Sequence, residues 1–465
     1  VKTLHLTSAW HETSGGIATF YRELIAAANR REHYIRLVVP AAEDRVQEAG
    51  PFGRIYHLAA PIAPLNPSYR VLYPSQFLSA GSKIQRILIA EHPDLVEICD
   101  KYNLNYLGAL LRLGLMEQVD IRPVVVGLSC ERMDDNFAAY LPFGPLGRLF
   151  SRLYMHWLYF PMFDHHITVS DHTAAELVPA SKGHPVSRSV WVRPMGVDTA
   201  LFSPARRSEA KRAHLLQDCS ANSDAALLLY AGRLAPEKNL GLLIELMQRL
   251  ATAAPHCRLM IAGQGMEREK LQRRAEAQVA GRVRFLGHVA DRDQLADLYA
   301  NCDVFLHPNP NEPFGIAPLE AMASGLPLVA PNSGGVTSYA NSTNAWTVEP
   351  EAATFAEAVR EAITNASLRV NRTQAALATA AQYAWPNAAA EYLRLYAEIH
   401  RRQQIREITA GMEPAFISTP AAHARNRAVA DAARLATAGL ATWRRWTESK
   451  PDIPSERSYS PPQSS

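Results

Sequence analysis

Along the first half of the chain, short apolar runs alternate with stretches whose apolar residues recur at helical spacing. "TLHLT" is followed by Ile17, Phe20, Leu24 and Ala28, and then by "YIRLVVP"; "DLVEICD", "RPVVVGLS" and "HHITVS" come further on. Strands that alternate with helices imply β-α-β units and a parallel sheet covered on both faces. After "VWVRPMGVDTALFSP" the pattern gives way to the charged stretch "ARRSEAKRAHLLQDCSANSD", and a second series begins: "ALLLYAG", "CRLMIAG", "RVRFLG", "VFLHP", "LPLVAP" and "AWTVE". Two parallel-sheet domains in tandem follow, with the crossing between residues 196 and 222.

Three boundaries are expected from this pattern. An N-terminal domain spans 1–195 and a second domain 196–387, closed by the helical "AAAEYLRLYAEIHRR" near 388–404. From about Glu407 the pattern changes to a Pro-containing linker, an Ala/Arg-rich segment 421–447 and the polar tail "SERSYSPPQSS", so 405–465 reads as an extension.

Composition narrows the class. With 465 residues, 48% hydrophobic and 20% charged, the chain is an ordinary globular protein large enough for two or three domains. A net charge of +3, with no basic stripe interleaved with aromatics, argues against nucleic acid as partner. The five cysteines stand apart, without zinc-site spacing and odd in number, which fits a reducing cytoplasm. "VKTLHLTSAW" lacks the regions of a secretory signal, so the sequons at Asn341, Asn365 and Asn371 are expected to be unused.

The chemistry concentrates in the second series. In "LLLYAGRLAPEKNLGLLIELMQRL" a buried strand ends at Gly232 and a helix starts near Asn239, which puts Arg233 and Lys238 at the carboxyl edge where open α/β sheets bind ligands. A planar fork and a point charge there suit the oxygens of a diphosphate, although solvated loop charges would look the same. In "NEPFGIAPLEAMASG", Glu312 lies in a turn-rich loop, Pro318 in the first turn of a helix running through Leu319 to Ser324, and Glu320 near its start. Helix-end electrostatics could account for Glu320 but not for Glu312. A carboxylate can accept two vicinal hydroxyls, so Glu312 and Glu320 on either side of Phe314-Gly315-Ile316 could hold two diols. Ribose, diphosphate and sugar would then be read in one site.

"AGRLAPEKNL" together with "EPFGIAPLEAMASGLPLVA" resembles the donor site of the retaining GT-B glycosyltransferases of family 4, and "PMGVDTALF", "CRLMIAGQG", "VRFLGHV" and "SGGIATF" extend the resemblance over residues 1 to 404. It implies an α/β GT-B fold: two Rossmann-like domains with a cleft between them, the donor on the C-terminal side and the closing helix packed back on the first domain. It implies a nucleotide-sugar-dependent hexosyltransferase that retains anomeric configuration, with a UDP- or GDP-linked hexose as donor and an acceptor hydroxyl on a lipid or glycan. Arg233 and Lys238 would hold the diphosphate, Glu312 the transferred sugar, Glu320 the ribose, and the backbone of Phe314, Gly315 and Ile316 the sugar or its phosphate. His288 and Val289 would border the base, and Gly15 and Gly16, at a helix N-terminus, would let a phosphate approach. No metal and no cofactor beyond the donor are implied.

One position departs from the family. Where many relatives place a histidine after the strand matching "RPVVVGLS", this chain has Cys130, followed by Glu131 and Arg132. Those three residues, with Asp100 and Lys101 after "LVEIC", are the candidates on the acceptor side. Asp134-Asp135-Asn136 and Asp164-His165-His166 carry little weight as metal sites. The aromatic stretch 141–163 reads either as a buried interdomain or dimer helix or as a surface for lipid, and 421–447 either docks on the protein or contacts anionic membrane. Other functions consistent with the same scaffold are a nucleotide-sugar epimerase or hydrolase, and an inactive nucleotide-sugar-binding protein. Peripheral attachment at the inner membrane face would accompany the lipid readings.

Overall fold

The structure is a computed structural model. It describes residues 1–10, 16–63, 66–116, 119–140, 144–184 and 190–412.

The first series of apolar runs forms an eight-stranded sheet. Its strands are β1 (Thr3–Thr7), β2 (Ile35–Ala41), β3 (Arg45–Glu48), β4 (Gly53–Ala59), β7 (Leu95–Cys99), β8 (Val124–Ser129), β9 (His165–Thr168) and β10 (Val190–Val192). They lie in the order β10-β9-β8-β7-β1-β2-β4-β3, all parallel except β3 against β4. Between β4 and β7 the chain makes a separate hairpin, β5 (Ile62–Ala63) and β6 (Asn66–Arg70). β3 to β6 were not anticipated: "RVQE" is exposed throughout and "GRIYHLA" only partly apolar, so neither has the solid apolar run of a central strand.

The second series forms a six-stranded parallel sheet, β11 (Leu227–Ala231), β12 (Arg258–Ala262), β13 (Val283–Gly287), β14 (Val304–Leu306), β15 (Leu328–Pro331) and β16 (Trp346–Val348), in the order β13-β12-β11-β14-β15-β16. In both sheets the order reverses at the middle, between β1 and β7 and between β11 and β14. Loops leaving the carboxyl ends of strands diverge there and open a crevice.

The chain passes between the sheets twice, and the two crossings are bonded to each other. Val197 and Ala384 form an isolated parallel bridge, with the Val197 amide donating to Tyr383 and the Trp385 amide to Val197. Gly196 is required beside it, because a Cβ there would lie 2.6 Å from the Trp385 ring. Helix Trp385–Met412 then returns along helix Gly16–Arg30, its Tyr392 ring against Phe20 at 4.8 Å. It runs without a break past Glu407, further than the sequence pattern implies. The segments 421–447 and 448–465 lie outside the described residues, and within those residues no helix is long and apolar enough to cross a membrane.

The closing helix is tied to the first sheet by a fully buried polar cluster. Glu97, in mid-β7, accepts from the Tyr396 hydroxyl at 2.5 Å and from Tyr21 at 3.1 Å, and His5 Nδ1 lies 2.8 Å away. A carboxylate at zero exposure is tolerated because each of its oxygens has a partner. Removing Tyr396 would strip one of them from a buried charge.

Candidate functional site

The crevice at the β11/β14 reversal gathers the predicted donor residues. From β11 the chain turns through Gly232 and a single 3-10 turn, Pro236–Lys238; Asn239, at φ 52°, then directs it into helix Gly241–Ala253. From the neighbouring β14 it runs through His307 and Asn309 to Glu312. Neighbouring strands deliver both loops to one place, and Lys238 Nζ donates to Glu312 Oε2 at 2.7 Å. Asn309 Nδ2 donates to the same oxygen at 3.0 Å, and His307 Nε2 lies 3.8 Å from it.

Burial alone would raise the Glu312 carboxyl, but the cation and hydrogen bonds around it hold it at about 2. Burial pushes His307 down to about 4, so at neutral pH this imidazole is uncharged and Lys238 is the cation that matters. Glu312 is therefore a fixed acceptor.

Two glycines keep the 309–315 loop in place, and neither was singled out from sequence. A Cβ on Gly335 would sit 2.0 Å from the Pro313 carbonyl and one on Gly334 2.6 Å from that of Pro310, so "SGG" after β15 is the floor of the loop. The Gly335 amide donates to Glu312 O at 2.6 Å. Gly315, at φ 88°, then starts helix Ile316–Ala323, two to three residues earlier than expected, which places Glu320 in its second turn. Phe314 is buried against Tyr339, ring centroids 5.3 Å apart, and the Tyr339 hydroxyl donates to Gly315 O. Among the described residues no side chain caps this helix, which leaves its first-turn amides and partial positive charge without a side-chain acceptor.

Glu320 faces a different setting from Glu312. Burial pushes its carboxyl up to about 7, Asp198 adds to the rise, and Arg292 and Tyr299 oppose it. Arg292 is shared, with Nη2 3.7 Å from Asp198. It opens the helix that follows the exposed His288 and the half-buried Val289, just after β13. These residues form the outer end of the crevice.

The first domain supplies the facing wall. Gly16 begins helix Gly16–Arg30 opposite helix Ile316–Ala323: a Cβ at Gly16 would come within 3.1 Å of Ile316 Cδ1. Two helix N-termini thus converge on the cleft, a setting that favours an anion. Gly15 lies outside the described residues. Ser170, which caps helix Asp171–Ala180, also donates across the cleft to Pro313 O at 2.5 Å. Arg233 reaches over as well, giving Nη1 to the Tyr69 hydroxyl of β6 at 3.0 Å and Nη2 to Glu237 at 2.8 Å.

The acceptor-side candidates separate on inspection. Lys101 does not face the cleft: at 1% exposure it donates to Glu176 Oε2 and Glu131 O, both at 2.5 Å. Glu176 in turn accepts from the amides of Met133 and Asp134, so the pair fixes the start of helix Met133–Tyr140. Asp100 accepts from the amides of Tyr102, Asn103 and Leu104 and shapes the turn before helix Asn105–Leu113. Arg132 is bound to Asp134 and Asp135, and His172 Nε2 lies 3.2 Å from Asp135, so the acidic pair already has its partners within the protein. Glu131 stays half-buried, held by Asn136 at 2.9 Å. Cys130 Sγ lies 3.8 Å from Cys99 Sγ, a proximity hidden by their separation in sequence; the Cys99 thiol and burial push Cys130 well above its ordinary value.

Models of known families match both halves of the chain. The family model described as Glycosyltransferase Family 4 matches residues 14–201, and that described as Glycosyl transferases group 1 matches 213–379. The chain is 28% identical over 399 residues to a GDP-mannose-dependent alpha-(1-6)-phosphatidylinositol dimannoside mannosyltransferase of Mycobacterium tuberculosis, covering 84% of this chain and 95% of that one. It is 32% identical over 228 residues to a D-inositol 3-phosphate glycosyltransferase of Stackebrandtia nassauensis, covering 46% and 50%. Among solved structures, a sucrose-phosphate synthase from Thermosynechococcus elongatus superposes with a TM-score of 0.66 at 19% identity over 86% of this chain and all of that one, a likeness of fold.

Proposed function

The chain belongs to the GT-B glycosyltransferases of the family-4 type, and on that premise we propose that it moves a hexose, with retention of anomeric configuration, from a nucleotide-diphosphate sugar to a hydroxyl of a lipid or glycan acceptor. The Lys238–Glu312 pair at the strand-order reversal carries this reading. A donor lying along the crevice would meet Glu320 at its ribose, Arg233, Lys238 and the two helix N-termini at its diphosphate, and Glu312 with Asn309 at its sugar. Lys238 and the helix ends would stabilise the charge that builds on the departing diphosphate, the type of interaction that contributes most in such sites.

A carboxyl held at about 2 is a weak base at neutral pH. Glu312 is thus suited to orient a sugar hydroxyl and poorly suited to take the acceptor's proton. That supports a pathway in which the acceptor attacks from the leaving group's side and a donor phosphate oxygen accepts its proton.

The mannosyltransferase similar along most of its length makes GDP-mannose the first donor to try, with UDP-glucose beside it. Thermal stabilisation by a panel of UDP- and GDP-hexoses, followed by NMR of the product, tests the reading. One donor should stabilise the protein, and an α-linked donor should give an α-linked product. A β-linked product would refute retention; no stabilisation by any donor would refute the site.

A further inference from the structure

Helix Gly144–Tyr154 has its polarity reversed. The side turned to the protein carries Gly147, Ser151 and, in the following π-helical turn, Met155, all buried. The side turned outward carries Leu146 (71% exposed), Leu149, Phe150 (60%), Leu153 and Trp157, each of them half exposed or more. Spacings of three, one, three and four place these five on one stripe, and Arg148 and Arg152 flank it, both exposed. In a helix that only packs on its own domain the large apolar residues would face inward.

The stripe is joined to the cleft. Phe150 stacks on Phe137 at 6.1 Å, Phe137 belongs to helix Met133–Tyr140, and that helix packs on the turn Pro236–Lys238. On the same helix Asn136 reaches the Tyr102 hydroxyl at 3.1 Å, and the Tyr102 ring is itself exposed.

We infer that this stripe is a docking surface for an anionic lipid bilayer, with Leu146, Leu149, Phe150, Leu153 and Trp157 entering the headgroup boundary and Arg148 and Arg152 at the phosphates. Charge selects this occupant. Residues 144–163 contain no Asp or Glu, so a second copy of the stripe would bring arginines against arginines. The Ala/Arg-rich segment 421–447, with Arg425, Arg427, Arg434, Arg444 and Arg445 against Asp431, repels the stripe in the same way. An anionic surface satisfies both the apolar face and its cationic flanks. Docked so, the molecule would hold the lip of its cleft at the bilayer. The benefit of that placement to transfer rests on the function proposed above; the docking does not.

Flotation of the full chain with phosphatidylglycerol/phosphatidylcholine vesicles and with phosphatidylcholine alone tests the inference. Wild type should float with the anionic vesicles, and high salt should weaken this. Leu149→Ser/Phe150→Ser/Leu153→Ser should lower the bound fraction at least about tenfold, and Arg148→Gln/Arg152→Gln should abolish the preference for anionic vesicles. All five positions are exposed, so circular dichroism and nucleotide-sugar stabilisation should match wild type. Flotation of the triple variant equal to wild type would overturn the inference, placing membrane contact elsewhere. So would a wild type that stays off vesicles and sediments as a dimer that the triple substitution dissociates.

Discussion

Lys238 Nζ stands 2.7 Å from Glu312 Oε2, although the two residues are 74 positions apart and reach the crevice from different strands. Each stabilises the charge of the other in a largely buried setting, and removing one leaves the other uncompensated. Lys238→Ala and Glu312→Gln should therefore each lower kcat by roughly 10²-fold or more, while far-UV circular dichroism stays native. Turnover at the wild-type rate in either variant would remove that residue from the machinery.

Glu320 gives donor binding a pH dependence that Glu312 does not. With its carboxyl at about 7 in the free protein, only part of the population offers an anion to a ribose at neutral pH. Affinity for the nucleotide sugar should rise between about pH 6 and pH 8, by at most about tenfold per unit. Glu320→Gln should bind more weakly and lose the slope in calorimetric titrations. A variant that keeps the wild-type slope would assign it to another group.

The same two carboxyls act oppositely on stability. Glu320 binds a proton more tightly folded than unfolded, so its contribution favours the folded state at low pH and is lost as pH rises from 4.5 through about 7. By linkage the full loss is on the order of 3 kcal/mol. For Glu312 the folded value lies below the ordinary one, so its contribution is present above 4.5 and lost as pH falls toward 2. Glu320→Gln should thus be more stable than wild type in urea at about pH 8 and gain much less at about pH 5. An equal gain at both would show that the carboxyl is not held protonated.

How far these relationships could be read in the sequence depends on their range. The central strands of both sheets show as solid apolar runs, because a doubly covered parallel strand leaves no polar alternation, whereas β3 and β4 at the edge of the first sheet do not. The donor loop was legible because Glu312, Gly315 and Glu320 lie within nine positions of one another. What was not legible is pairwise and distant: Gly335 under Pro313, Tyr69 on Arg233, and Lys101 turned inward onto Glu176. A lysine after a strand reads as a cleft residue until its partner, 75 positions on, is brought to it. The start of helix Ile316–Ala323 was displaced for a local reason: Pro318 is tolerated anywhere in a first turn, so it does not fix the first residue.

Across the cleft, Gly16 lies against Ile316 and Ser170 donates to Pro313 O. A methyl at Gly16 would need Ile316 Cδ1 to shift by a few tenths of an ångström, which a flexible chain end can do; a valine would not fit without parting the domains. Gly16→Ala should stay within a few-fold of wild-type kcat. Gly16→Val should lose roughly 10²-fold, since displacements of about 1 Å suffice for that, and small-angle scattering should show a wider molecule. Ser170→Ala, which leaves a carbonyl short of one partner, should cost about 1 kcal/mol of the contact between the domains. Normal kcat in Gly16→Val would mean that the contact is not part of the working cycle.

Cys130, just after β8, invites a catalytic role, but its surroundings argue for a neutral thiol. It is half-buried, its sulfur lies 3.8 Å from that of Cys99, and the neighbouring thiol and burial both disfavour the thiolate. A thiol in that state is a poor nucleophile and a weak hydrogen-bonding group. Cys130→Ala should therefore keep kcat within a few-fold of wild type, and iodoacetamide at neutral pH should label Cys130 slowly and without matching loss of activity. Cys130→Ser, similar in size but a stronger hydrogen-bonding group, should change KM for the donor more than kcat if the position borders the transferred sugar. Loss of turnover in Cys130→Ala, together with stoichiometric inactivation by iodoacetamide, would instead make this sulfur part of the chemistry.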